Sequence, residues 1–144
     1  MEPLIRFENV TKEYAYGENK IRAADNISFE IHKGEFTVIL GPSGAGKSTV
    51  LNLLGGMDRV TSGSIYVNGC DIATYDEKQL TAYRRDHIGF VFQFYNLIPT
   101  LTVYENVALT KELVRNALDA REILASVGME THLNKFPAQL SGGE

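Results

Sequence analysis

Nine residues, Gly41-Pro42-Ser43-Gly44-Ala45-Gly46-Lys47-Ser48-Thr49, carry chemistry that the rest of the chain must position. Gly41, Gly46, Lys47 and Ser48 fill the fixed places of the pattern G-x-x-x-x-G-K-[ST]. Glycines let a backbone curl until successive N–H groups point inward, and a helix that starts there adds its positive end. The Lys47 ammonium suits the β- and γ-phosphates of a triphosphate, and the Ser48 hydroxyl suits the shell of a Mg²⁺ ion. A Gly/Ser-rich turn can match such a pattern by chance, so the flanks decide. Phe36-Thr37-Val38-Ile39-Leu40 is an apolar, β-rich run that predicts a buried strand before the loop. Val50-Leu51-Asn52-Leu53-Leu54 predicts a helix after it. Strand, glycine loop and helix together describe a cradle for a nucleoside triphosphate.

The elements around the loop follow from periodicity and turn chemistry. Leu4 to Val10 reads as a strand, and Ile27, Phe29 and Ile31 alternate with Ser28, Glu30 and His32 as a half-buried strand does. Lys33-Gly34-Glu35 predicts a turn into the strand before the loop. Ser64 to Val67 predicts a short strand that Asn68-Gly69 turns back. Thr74 followed by Glu77 fits a capping box and predicts a helix to about Arg85. Arg84-Arg85-Asp86-His87 reads as the solvated end of that helix. Ile88-Gly89-Phe90-Val91-Phe92 predicts a second buried strand, ending at the polar Gln93. Thr102 and Glu105 form another capping-box pair. The pattern from there to Val127 is mainly helical, with Val114, Leu118 and Leu124 on one face and Gly128 as the stop.

Composition bounds the function. A chain of 144 residues, 44% of them apolar, can form a domain with a real core. A net charge of −4 argues against broad nucleic-acid binding. No apolar run approaches the roughly 20 residues that a bilayer-crossing helix needs, and Met1-Glu2-Pro3 lacks the layout of a signal peptide. The single cysteine, Cys70, excludes an intrachain disulfide and reads as an incidental thiol beside the Asn68-Gly69 turn. His32, His87 and His132 are scattered without metal-ligand spacing.

The last residues add a second signal. Ser141-Gly142-Gly143-Glu144 looks like a helix start with Ser141 as N-cap, and no helix follows, which suggests a truncated chain. With the loop and this ending both in view, the chain resembles the ATP-binding subunit of an ABC transporter. Leu140-Ser141-Gly142-Gly143-Glu144 is similar to that family's LSGGQ signature, with Glu in the last place. Gln93 after IGFVF matches the family's Q-loop glutamine, and Tyr14 in Thr11-Lys12-Glu13-Tyr14 matches its adenine-stacking aromatic. The run Ile88 to Asn106 (IGFVFQFYNLIPTLTVYEN) is closest to the macrolide-export and lipoprotein-release group, whose permeases are of the FtsX type.

The resemblance implies an α/β P-loop NTPase cassette: a partial RecA-like core with an N-terminal antiparallel β subdomain and a helical signature subdomain, its C-terminal part missing. It implies a β subdomain and phosphate-loop core over about 1–93 and a helical subdomain over about 94–144. ATP and Mg²⁺ are the implied ligands, with Gly41 to Thr49 as the cradle, Lys47 and Gln93 as catalytic residues, and Ser48 and Gln93 beside the metal. Tyr14 would stack on adenine, although Tyr16 offers the same ring two residues on. Ser141, Gly142, Gly143 and Glu144 would face the γ-phosphate of a second ATP-binding subunit in a head-to-tail dimer. Phe94-Tyr95-Asn96-Leu97-Ile98-Pro99 either meets the transmembrane permease or packs under the helical segment. The place implied is the cytoplasmic face of the cell membrane. The family's Walker B carboxylates and switch histidine fall after the signature, which predicts a 144-residue chain with little ATPase activity and poor solubility alone. A non-catalytic nucleotide-binding module is the alternative, and a nucleotide kinase or GTPase the third reading.

Overall fold

A computed structural model describes residues 2–114 and 116–144. They form two compact units, Met1–Ile88 and Gly89–Glu144.

The first unit is built on an antiparallel sheet. β1 (Ile5–Tyr16) and β2 (Asn19–Ile31) make a long hairpin, β3 (Ser62–Val67) pairs with the other side of β1, and β4 (Cys70–Asp71) pairs with β3, giving the order β2-β1-β3-β4. Alternation sets the register: Phe7 pairs with Phe29 across one edge and Ile65 across the other, and the Phe7 and Phe29 rings stack at 4.4 Å. Asn68 and Gly69 both have positive φ, 49° and 76°, as a two-residue turn matched to strand twist requires, and Val67 pairs with an exposed Cys70. The apolar face of the sheet meets α1 (Lys47–Leu54) through Phe7, Val10, Val50, Leu53, Ile65, Ile72 and Tyr83, with Ile27 and Ile39 packed at the margin.

α2 (Glu77–His87) corrects the predicted cap. Asp76 rather than Thr74 is the N-cap, exchanging bonds of 2.8 and 2.9 Å with Gln79, while the Thr74 hydroxyl donates to the Asp71 carbonyl. The helix also ends differently from a purely solvated terminus. Tyr83 donates to the Leu54 carbonyl at 2.8 Å and Arg84 to the Gly56 carbonyl at 2.6 Å, so α2 serves acceptors at the end of α1 that the helix leaves open. Arg85 turns outward and pairs with Asp86.

Two predicted strands do not form. Segment 36–40 makes no ladder, and Phe36 is 95% exposed; segment 88–92 makes none either, although Phe90 and Phe92 stack at 5.1 Å. A strand exists only through its neighbours, and neither run has a ladder partner among the described residues, whatever its composition favours.

In the second unit the mainly helical stretch expected to Val127 is divided into α3 (Val103–Ala108), α4 (Thr110–Leu113) and α5 (Ala120–Ser126). Thr102 caps α3 with the predicted Glu105 box, and Asp119 caps α5. Val103, Leu124 and Met129 form the core, with Tyr104, Val107, Leu133 and Leu140 packed around it. Leu124 is buried as expected, but Leu118 is 68% exposed because it lies in the break before α5. Gly128 follows α5 at the expected stop.

Candidate functional site

The loop 41–49 enters α1 through Gly46, whose φ of 82° is left-handed. A side chain cannot stand there for a second reason: a Cβ on Gly46 would lie 1.9 Å from the Ala23 carbonyl oxygen. Ala23 is the extra residue of a bulge in β2, between the pairs Lys12↔Ala24 and Glu13↔Arg22. A bulge frees one residue from the ladder and re-aims it, here toward the loop. The Lys47 ammonium lies across the loop, donating to the carbonyls of Gly41 (2.8 Å) and Pro42 (2.7 Å). α1 has no side-chain cap and no acidic residue in its first turn, so its N–H groups and dipole face outward without local competition. Ala23, Ser43, Gly44, Ala45, Gly46, Lys47, Ser48 and Thr49 line a cavity of about 300 Å³. Donors, one ammonium and the exposed hydroxyl of Ser48, with no carboxylate among the lining residues, fit the phosphates and Mg²⁺ that the sequence implied.

Tyr14 stands near the end of β1, half-buried, within a network that sequence reasoning missed. Its hydroxyl donates to Asp58 Oδ2 at 2.7 Å. Asp58 Oδ1 takes the Lys12 ammonium and the Arg59 N–H, and the ammonium lies 4.9 Å from the Tyr14 ring centroid. The neighbouring carboxylate, helped by burial, raises the Tyr14 phenol above its ordinary value, while the Thr49 hydroxyl works the other way. Burial alone would raise the Asp58 carboxyl. Lys12, Tyr14 and the Arg59 N–H outweigh it and hold the group below the ordinary range. Tyr16, the alternative ring, is exposed at the hairpin tip. No local signal marks Asp58, which is 44 residues from Tyr14 in sequence.

In the second unit Gln93 is exposed in a tight turn, with the Tyr95 N–H on the Phe92 carbonyl at 3.2 Å. Tyr95 and Asn96 continue the chain with positive φ, 58° and 51°. Phe94, Tyr95, Leu97 and Ile98 are exposed. Asn106, on α3, organises the backbone from Ile98 to Thr102: its Oδ1 accepts the Ile98 N–H, and its Nδ2 donates to the carbonyls of Ile98, Leu101 and Thr102. One side chain thus satisfies a loop too short to satisfy itself.

Ser141 to Glu144 form a closed turn. The Glu144 N–H reaches the Ser141 carbonyl at 3.1 Å, and the Glu144 carboxylate accepts the Ser141 N–H at 2.7 Å and approaches His132 Nε2 at 2.9 Å. The Ser141 backbone and hydroxyl, and then the His132 and Lys135 charges, hold the Glu144 carboxyl below its ordinary value. The Tyr95 hydroxyl donates to the Gly142 carbonyl at 2.9 Å, tying the segment after Gln93 to this turn. Phe94, Tyr95, Leu97, Pro137, Leu140, Ser141, Gly142 and Glu144 line a cavity of about 320 Å³ between them.

The chain is similar to known proteins over nearly its whole length. The ABC transporter family profile matches residues 24–144. An uncharacterized ABC transporter ATP-binding protein of Mycobacterium tuberculosis is 44% identical over 148 residues, which are 99% of this chain and 60% of that protein. The macrolide export ATP-binding/permease protein MacB of Shigella flexneri is 42% identical over 149 residues, 100% of this chain and 23% of its own length. Among solved structures, the dimeric bacterial ABC transporter cassette MJ0796 superposes with a TM-score of 0.87 at 44% identity, covering 96% of this chain and 64% of that one. The same cassette in a post-hydrolysis state bound to ADP and Pi also gives 0.87. The chain therefore spans about 60% of the Mycobacterium relative. A glycine loop folded against a sheet bulge, a closed LSGGE turn and likeness over nearly the whole sequence agree, and the chain belongs to the ABC transporter family.

Proposed function

We propose that this chain is the ATP-binding part of an ABC exporter or lipoprotein-release system, coupling nucleotide binding and hydrolysis to a membrane permease. The observation that carries the reading is the loop geometry: Gly46 pressed against Ala23, Lys47 across the loop and the uncapped start of α1 around one cavity. Lys47 and the loop N–H groups would hold the β- and γ-phosphates of ATP, and Ser48 and Gln93 would contribute to the Mg²⁺ shell. Mg²⁺, when bound, neutralises phosphate charge. Tyr14 would stack on the adenine, and Gln93 would also orient water and report nucleotide state. Residues 1–93 would act as β subdomain and phosphate-loop core, and 94–144 as helical subdomain.

Ser141, Gly142 and Gly143 would present N–H groups to the γ-phosphate held by a second ATP-binding subunit, in a head-to-tail dimer. The solved relative described as dimeric supports that assembly. The exposed side chains of Phe94, Tyr95, Leu97 and Ile98 would meet an FtsX-type permease, and the protein would then act at the cytoplasmic face of a membrane; exposed apolar surface of this kind commonly marks a partner site. The likeness to macrolide-export proteins supports the export branch. The second reading is a module that binds ATP without turning it over.

The test is equilibrium binding of a fluorescent ATP analogue with Mg²⁺. Lys47→Ala is expected to weaken binding at least about 10-fold, since it removes a charge-assisted contact. Unchanged affinity would overturn the assignment of the loop. Steady turnover by residues 1–144, abolished by the same substitution, would rule out the second reading.

A further inference from the structure

The phosphate loop and Tyr14 stand on different elements: the loop opens α1, and Tyr14 belongs to β1. The Thr49 hydroxyl reaches Tyr14 from the loop itself, and a second side chain, Asp58, joins them from behind. Asp58 lies in the turn after α1, and its N–H reaches back to the Asn52 carbonyl within that helix at 3.3 Å. Its two carboxylate oxygens divide the work. Oδ2 takes the Tyr14 hydroxyl at 2.7 Å, and Oδ1 takes the ammonium of Lys12, which also donates to the Arg59 carbonyl at 2.7 Å.

The ring of Tyr14 is thereby held at its tip by the α1 turn and covered on one face by Lys12. A tyrosine tethered only at Cα swings about two side-chain torsions. One tethered at both ends keeps a set distance from the helix that carries Lys47, Ser48 and Thr49. Resting on the reading that Tyr14 is the base platform, we propose that Asp58, assisted by Lys12, is a positioning residue that fixes the spacing between a purine base and the phosphate cradle. The purine takes the Tyr14 face opposite Lys12.

The chemistry requires a carboxylate. It can accept from a phenol and an ammonium together, with a separate oxygen for each. An amide of the same shape keeps an oxygen for Lys12 but can only donate its NH₂ to the Tyr14 oxygen, so Asn reverses one arm of the network and removes the charge that strengthens both. The pair is partly sheltered, with Lys12 and Asp58 side chains 12% and 28% exposed, so solvent does not simply replace what is lost. The consequence belongs to the nucleoside half of the ligand, since none of these three side chains lines the phosphate cavity.

The experiment compares ATP with inorganic tripolyphosphate, each with Mg²⁺, by equilibrium binding to the purified protein and to Tyr14→Ala, Asp58→Asn and Lys12→Met. Thermal melts select the variants that fold. All three substitutions are expected to weaken ATP about 5- to 10-fold while changing tripolyphosphate affinity less than about two-fold. Equal losses for both ligands in Asp58→Asn mean that Asp58 merely supports α1, which overturns the proposal. Unchanged ATP binding in Asp58→Asn, with weakened binding in Tyr14→Ala, removes the positioning role and leaves the platform standing. Unchanged ATP binding in Tyr14→Ala removes the platform and the proposal together. If Asp58→Asn does not fold, Lys12→Met carries the same comparison.

Discussion

Lys47 and Gly46 divide the task of the phosphate loop between charge and space. The ammonium of Lys47 rests on two neutral carbonyls of its own loop, and a phosphate oxygen offers it a charged acceptor in their place. Gly46 supplies the room. Its φ of 82° and the Ala23 oxygen 1.9 Å from a would-be Cβ act together, whereas Gly44, at φ 80°, has nothing within 4 Å of its own. The two glycines therefore separate backbone strain from collision. Gly44→Ala is expected to cost about 1 kcal/mol, the strain alone. Gly46→Ala is expected to cost on the order of 3 kcal/mol or more and to displace the loop from β2. Urea unfolding of the two variants checks this, and equal midpoints would refute the steric argument.

At the scale of elements, the joint between α1 and α2 sets how firmly the loop's helix is anchored. Tyr83 is buried, and burial first, then the neighbouring Tyr75, pushes its phenol up to about 12 from an ordinary 10.0. A tyrosine whose folded value is raised contributes stability that is complete below the unfolded value and is lost as pH rises toward the folded one. Stability is thus expected to fall between pH 10.0 and about 12, and Tyr83→Phe is expected to flatten that slope. The same substitution leaves the Leu54 carbonyl without its donor, at a cost of about 1–2 kcal/mol near neutral pH. Denaturant midpoints across the alkaline range measure both effects; a slope unchanged by Tyr83→Phe would assign the alkaline loss elsewhere.

These elements also show what a sequence can carry. Thr102 with Glu105 and Asn68 with Gly69 act through neighbours a few residues away, so they were legible. Thr74 with Glu77 was misleading because Asp76 with Gln79 satisfies the same spacing two residues later, and the Thr74 hydroxyl had a better acceptor in the Asp71 carbonyl. Segment 36–40 has the composition of a strand, but composition does not supply a ladder partner. The loop residues were legible as a pattern, whereas Ala23, Lys12 and Asp58 behind them enter through register and long-range contacts that no local rule contains.

Across the whole molecule the two units differ in how much holds them. The Phe7, Val10, Leu53 and Ile65 core of the first unit joins a sheet to a helix, and the second centres on Val103, Leu124 and Met129, between short helices. Local opening costs less where fewer apolar contacts are lost. Hydrogen exchange is expected to protect β1 and β3 amides well beyond those of α3 and α5, and equal protection would show that the units open together.

The bulge at Ala23 has a further consequence. Among the described residues β2 is an outer strand that pairs with β1 alone, and its Ala23 carbonyl forms a wall of the phosphate loop. When that edge frays, the wall goes with it while the Phe7 core still stands. On the proposed function, competence to hold a triphosphate and foldedness are then two separate quantities in this chain.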